Sequence, residues 1–377
     1  MMDKVLFILS FLILPFSLFA QVTAPSLQGR AGGESSYTTA TPMVHDPVMA
    51  YEDGTYYLFS TGMGVQMMTS TDLETWTGYR RPALQPIEGL TPQPREGRRM
   101  RLPQLPAWTA DSVPGFRGHV WAPDIIRYRD RWWMAYSCST FGRNTSAIGL
   151  ASTPTLNFRD TVNYQWRDHG CLVASREKRD NWNAIDPAFI IDDAGNPWLT
   201  WGSFWDGIQM APLDSTMHIA AGVQPKTIAR RVALRDTLRA EPNPTSKFAG
   251  RNAIEAPFIF RHGDYYYLFV SHDYCCRGIE SNYKVVVGRS TKVDGPYLDR
   301  TGRDMADGGG NLFIQGDHKV FEATGHSAAY HLPDGRDLFI CHGYSYKHSG
   351  QAILIQREIH WTEDGWPELP SRMDSDE

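Results

Sequence analysis

No CxxC pair occurs in the 377 residues and only five cysteines are present, so neither a zinc ribbon nor a thioredoxin-like redox motif is available. The count is odd, which leaves at least one thiol unpaired, and the adjacent Cys275-Cys276 reads as two reduced thiols at a strand end in preference to a strained vicinal ring. A basic excess is lacking as well. The formal charge of −5 provides no positive field for nucleic acid or an anionic membrane. Gly308-Gly309-Gly310 is followed by neither the helix nor the lysine that a phosphate loop needs, so it reads as a tight turn. A membrane span is missing too: Val5 to Leu14 is apolar but shorter than the roughly 20 residues that cross a bilayer. Its setting, after Met1-Met2-Asp3-Lys4 and before Pro15 and a small residue at Ala20, is that of a cleaved export signal over residues 1–20. No cysteine follows for a lipid anchor. The expected product is periplasmic or extracellular, without stable membrane insertion, and begins near Gln21 with an exposed lead-in to residue 40.

What is present in abundance is repetition. Asp46, Asp124, Asp186, Glu255 and His326 each stand beside a small residue or proline ahead of an apolar stretch, with gaps of 78, 62, 69 and 71 residues. Each start is followed by a strand-like segment, a turn and a second strand rich in aromatics, such as Tyr57-Leu58-Phe59, Trp132-Trp133-Met134 and Tyr266-Tyr267-Leu268-Phe269. Units of this length have room for four strands each and suit propeller blades. Five units predict an all-β, five-bladed β-propeller over residues 41–377. Blades around one axis bring their equivalent inner-strand ends to one mouth, so residues remote in sequence converge there.

Two excursions interrupt the pattern. Residues 80–117 are rich in proline and arginine and read either as a solvated loop or as one wall of a cleft at the mouth. Residues 227–247 carry a helix-like patch around 228–239, then the turn-like Pro242-Asn243-Pro244. Asn144-Thr145-Ser146 matches a glycosylation sequon.

Two carboxyl groups of different acidity are the minimum equipment for hydrolysing a glycosidic bond: one protonates the leaving oxygen while the other activates water or attacks the sugar. Asp46, Asp186 and Glu255 would supply that pair, plus a third negative charge that raises the acid's pKa. Any one of them alone would more often be a turn residue.

At this level the chain resembles the family 43 glycoside hydrolases, and within them the endo-1,5-α-L-arabinanases. The resemblance rests on His45-Asp46-Pro47, Phe59-Ser60-Thr61-Gly62, Trp121-Ala122-Pro123-Asp124, Ser139-Thr140-Phe141-Gly142, Asn183-Ala184-Ile185-Asp186-Pro187, Gly202-Ser203-Phe204-Trp205, Ile254-Glu255-Ala256-Pro257 and Cys275-Cys276-Arg277-Gly278, in that order. It implies an inverting hydrolase of arabinan, with Asp46 as general base, Glu255 as general acid and Asp186 setting the acid's pKa. It also implies that Trp121 and Phe141 stack on sugar, that Asn183, Ser203, Phe204 and Trp205 surround a bound arabinosyl unit, and that His326 lies beside a calcium ion completed largely by water. Ala323-Thr324-Gly325-His326 departs from the Gly-Pro-Gly-His common in the family. Two alternatives remain open: an exo-acting arabinofuranosidase or β-xylosidase with the same carboxylates, and a carbohydrate-binding propeller without catalysis.

Overall fold

The computed structural model describes residues 36–85, 106–233 and 250–370. Its strands form the five blades of a β-propeller, each an antiparallel meander running outward from the axis. Blade 1 is Val48–Glu52, Thr55–Ser60, Gln66–Ser70 and Trp76–Tyr79, edged by Ser36–Thr39. That edge strand lies inside the expected lead-in; it is largely exposed and pairs with Trp76–Tyr79. Blade 2 is His119–Tyr128, Arg131–Cys138, Ser146–Thr153 and Arg167–Ser175. Blade 3 is Ala188–Ile191, Pro197–Trp201, Ile208–Pro212 and Lys226–Ala229. Blade 4 is Ile254–His262, Tyr265–His272, Lys284–Ser290 and Asn311–Gln315. Blade 5 has three strands of its own, Phe321–His331, Asp337–Ser345 and Gln351–Glu358. Its outer place is taken by the segment leading into blade 1: Met43 bridges Ile353, Val44 N–H donates to Ala352 O (3.2 Å) and Leu354 N–H donates to Pro42 O (2.9 Å). The ring is thereby fastened by the chain's own early residues.

The aromatic second strands have a physical reason. A blade is covered on both faces, so both alternating sets of side chains are buried and the strand reads as a continuous apolar run. Trp132 and Met134 pack with Phe59 and Met67 of blade 1, whereas Trp133 and Ala135 pack with Phe189, Leu199 and Trp201 of blade 3. Tyr266 and Leu268 pack with Ile208 and Met210 of blade 3, and Tyr267 and Phe269 pack with Phe339 and Cys341 of blade 5. Leu338 and Ile340 close the circle against Met49, Leu58 and Trp76 of blade 1. Full burial of each such side chain stabilises by roughly 1.5–3 kcal/mol, so the interfaces hold the ring without a disulfide across it.

The excursions resolve in part. Of residues 80–117, the stretch 86–105 lies outside the described residues. Its flanks are tied to blade 2: Tyr164 Oη donates to Ala83 O (2.6 Å), and Trp108, on the short helix Trp108–Ser112, donates from Nε1 to Asp168 (3.3 Å). The helix-like patch after residue 227 begins as strand Lys226–Ala229, paired with Ile208–Pro212, and residues 234–249 lie outside the described residues. Gly308 to Gly310 form a turn, with φ of +80° at Gly308 and +128° at Gly310. Asn144 of the sequon is buried, with its amide donating to Asp180 O (3.0 Å) and Trp182 O (2.9 Å), so the folded chain does not present it. The export signal and most of the lead-in lie outside the described residues.

Candidate functional site

Five residues in the left-handed region mark the inner end of the five blades: Asp46 (φ 57°), Ala122 (41°), Asp186 (55°), Ala256 (54°) and His326 (51°). Each N–H reaches back to a side chain of the preceding blade. Asp46 donates to His342 Nδ1 (3.1 Å), Ala122 to Thr61 Oγ1 (2.9 Å), Asp186 to Ser137 Oγ (3.0 Å), Ala256 to Asp186 Oδ2 (3.2 Å) and His326 to Ser271 Oγ (2.9 Å). The true repeat position in blade 2 is therefore Ala122, not Asp124, and in blade 4 it is Ala256, not Glu255. Asp124 is buried two residues further on, where its Oδ2 accepts the Phe189 N–H (2.7 Å) and burial raises its pKa to about 7. It ties blade 2 to blade 3. Glu255 occupies the preceding position, shared with His45, Trp121, Ile185 and Gly325.

Asp46, Asp186, Glu255 and His326 converge closely enough for their charges to act on one another, and the three carboxyl groups are all buried. Asp46 Oδ1 faces His45 Nδ1 (2.8 Å) and His326 Nδ1 (3.1 Å), and its Oδ2 accepts from Thr61 Oγ1 (2.5 Å). Burial works to raise its pKa, but the electrostatic attraction and hydrogen bonds of His45 and His326 prevail and hold it well below the ordinary value. His342 also stands 3.7 Å from Oδ1, but as the acceptor of the Asp46 N–H it is neutral there, and burial lowers its pKa well below the usual histidine range.

Glu255 is treated in the opposite sense. Burial raises its pKa against the opposing hydrogen bonds of Ser203 Oγ to Oε2 (2.8 Å) and Tyr283 Oη to Oε1 (2.8 Å). Burial also raises Asp186 well above its ordinary value, aided by the charges of Glu255 and Asp46 and opposed by His326. His326, which burial would discharge, is instead raised to about 9 by Asp46, Asp186 and Glu255. The mouth thus favours the charged form of Asp46 and of His326 and the neutral form of Glu255 and Asp186.

The expected sugar contacts divide. Phe141 is 79 % exposed and Trp121 lies partly exposed at the mouth, its Nε1 donating to His119 Nδ1 (2.9 Å). Phe204 is half-buried and leans on Tyr274 (5.8 Å between ring centroids), whose other partner is the Arg277 guanidinium (4.4 Å to the ring centre). Ser203 has its hydroxyl on Glu255, Asn183 accepts from Ser146 Oγ at its Oδ1 (2.7 Å), and Trp205 is buried with its carbonyl taking the Asn252 amide (2.8 Å). These three support the site's walls. Cys275 and Cys276 are joined as a vicinal disulfide, in place of the two thiols expected, while Cys138, Cys171 and Cys341 are free.

Sequence reasoning missed Tyr283, which lies in no recognisable motif. Gly325 makes room for it: a Cβ there would stand 1.9 Å from the Tyr283 ring. It also missed Thr61 as a partner of Asp46, although Thr61 belongs to one of the motifs used.

For a metal, His326 Nδ1 is committed to Asp46, which leaves Nε2. Among the described residues, the clusters that bring three ligand atoms within 4.8 Å of one another do not include His326. Calcium takes six to eight oxygens. The described residues therefore offer no oxygen cage for calcium, and His326 Nε2 is the nitrogen left to a metal.

The two hydrogen bonds on Glu255 favour its charged form, so removing either raises its pKa. Ser203→Ala and Tyr283→Phe are each expected to lower kcat by roughly tenfold, the scale of one buried hydrogen bond. Each is also expected to move the alkaline limb of the kcat/KM profile to higher pH. An unmoved or lowered limb in both variants would show that Glu255 does not set it.

Residues 40–367 match the family described as glycosyl hydrolases family 43. An extracellular exo-α-(1→5)-L-arabinofuranosidase of Cellvibrio japonicus is 41 % identical over 332 residues, 87 % of each chain. An extracellular endo-α-(1→5)-L-arabinanase of Bacillus subtilis is 32 % identical, covering 94 % of this chain and 96 % of its own. Among solved structures, an exo-1,5-α-L-arabinanase from a bovine ruminal metagenomic library superposes with a TM-score of 0.76 at 48 % identity, covering 88 % of this chain and 98 % of that one. With a match of that extent, and with the carboxyl groups its motifs contribute gathered at one propeller mouth, the chain belongs to the family 43 glycosyl hydrolases.

Proposed function

We propose that this protein hydrolyses the α-1,5-linked L-arabinofuranosyl bonds of arabinan and arabino-oligosaccharides by a single inverting displacement. Asp46 is the general base, Glu255 the general acid, and Asp186 the carboxyl group that tunes and orients the acid. The observation that carries this reading is the contrast between Asp46 and Glu255 at one mouth: two histidines face the first, and two neutral hydroxyls hold the second. A base must be anionic to take a proton from the attacking water, and an acid must hold a proton to give to the departing sugar oxygen. A non-catalytic binding propeller has no use for that opposition.

Trp121, Phe141 and Phe204 offer ring faces to arabinofuranose, whose apolar face stacks on aromatics while its hydroxyls turn outward. Ser203, Asn183 and Trp205 act behind them. Endo action is supported by the Bacillus relative, which spans nearly the whole chain. Exo action is the second reading, favoured by the higher identity of the two relatives with exo-acting names. Export is proposed from the apolar run near the N-terminus and from the extracellular relatives, and no helix among the described residues is long and apolar enough to cross a membrane. Calcium is proposed at His326 Nε2, where, when bound, it would hold the imidazole neutral and keep a positive charge beside the carboxylates.

A time course on linear, debranched arabinan tests the activity. A ladder of oligomers with rapid viscosity loss supports endo action, and release of short product of constant length from the first minutes supports exo action. No new reducing ends would overturn the hydrolase reading.

Glu255→Ala is expected to lose about 10³-fold or more on arabinan but to recover on aryl arabinosides with acidic leaving groups, since a departing phenolate needs little protonation. Asp46→Ala should not recover. Equal responses of the two variants to leaving-group pKa would sink the assignment.

For calcium, chelation to a metal-free state confirmed by elemental analysis is expected to lower the melting temperature, with recovery on adding calcium in excess, because an ion bound only by the folded state stabilises it by mass action. His326→Ala should be insensitive to both treatments. Identical melting of the metal-free and calcium-loaded protein removes the ion from the account.

A further inference from the structure

His45 does more than face Asp46. The Cys276 N–H donates to Tyr344 Oη (2.7 Å), and the same oxygen is hydrogen-bonded to His45 Nε2 (2.8 Å). The other ring nitrogen, Nδ1, lies 2.8 Å from Asp46 Oδ1, so the imidazole is held at both of its nitrogens. The His45 ring is further pinned by stacking on His342, with centroids 4.0 Å apart, and Cys276 Sγ stands 3.8 Å from its Nε2. Tyr344 is buried, and the turn that presents the Cys276 amide has φ of +67° at that residue and a disulfide across its two cysteines.

The contacts form one chain. The loop after the second strand of blade 4 holds a phenol of blade 5, the phenol holds the ring of a histidine ahead of blade 1, and the histidine faces a carboxylate. They cross the seam where the last blade meets the first. We propose that Tyr344, held by the Cys275-Cys276 turn, is a positioning residue for Asp46 that acts through His45. This rests on the reading of Asp46 as general base. It gives a role to the tight turn beside the mouth and to a buried tyrosine two residues beyond His342.

The test is a double-mutant cycle with kcat and KM read separately on arabino-oligosaccharide. Tyr344→Phe keeps the ring and is expected to lower kcat by about tenfold, the scale of one buried hydrogen bond, with KM within about twofold. His45→Ala removes the donor to Asp46 and is expected to cost about a hundredfold in kcat. His45→Asn, whose amide can occupy the place of Nδ1, is expected to recover most of that loss. The Tyr344→Phe change should add nothing in the His45→Asn background, because its partner is already gone. Cys275→Ala with Cys276→Ala should lower kcat in the parent and leave the Tyr344→Phe variant unchanged. Additive losses, losses carried by KM, or no rescue by His45→Asn would each overturn the proposal. Asp46→Ala is measured alongside: retained activity there would reject Asp46 as base, while the coupling between Tyr344 and His45 would still be read from the cycle.

Discussion

The inner ends of the blades depend on one backbone device. Asp46, Ala122, Asp186, Ala256 and His326 all take left-handed φ, a conformation that costs a residue with a side chain roughly 1–2 kcal/mol. Each is repaid by a hydrogen bond from its N–H to the blade before it. The bond couples neighbouring blades at the axis, and it breaks the strict alternation of the inner strand. Register shifts follow in blades 2, 4 and 5, between Trp121 and Asp124, Glu255 and Phe258, and Gly325 and Ala328. A regular strand would send adjacent residues to opposite faces. The irregular one lets Glu255 and Asp186 meet at one mouth although they stand at different positions of the repeat.

Electrostatics then divide the labour among chemically similar groups. Three buried carboxyls cannot all ionise side by side, and His326 supplies the charge that lets one do so. Asp46 receives His45 and His326 together, and its charged form is favoured. Glu255 receives only neutral hydroxyls, from Ser203 and Tyr283, and burial prevails. Asp186 carries a second duty, since its Oδ2 also accepts the Ala256 N–H and so holds the strand that bears Glu255. Geometry and acidity are set by the same contacts.

Much of this was legible before folding. The blade count, the aromatic second strands and the three carboxylates follow from periodicity and from residue chemistry. Asp124 shows where that reading stops: it sits near the expected spacing, beside Pro123, yet its carboxyl group ends up as an acceptor for a neighbouring blade. Sequence spacing cannot distinguish two residues either side of a bulge, because the bulge changes which one faces the axis. Ser203 and Asn183 belong to recognisable motifs, but a motif does not say whether a polar atom meets ligand or another side chain. Tyr283 and Tyr344 had no motif at all. Their roles come from proximity across residues 28 and 299 apart in the chain, to Glu255 and His45.

By itself, then, the sequence determined the architecture, because a blade buried on both faces demands long apolar strands at a regular period, and that demand is written locally. It also supplied the chemical inventory of the mouth, since Asp46, Asp186, Glu255 and His326 stand in or beside recognisable motifs at the blade starts. Only the tertiary structure decided which carboxyl group is favoured in its charged form and which in its neutral form. Acidity is set by the partners within a few ångströms and by the exclusion of water, and those partners arrive from different blades. Only the tertiary structure, likewise, brought Cys276, Tyr344, His45 and Asp46 into one line, across a seam that exists because the chain's beginning completes its last blade.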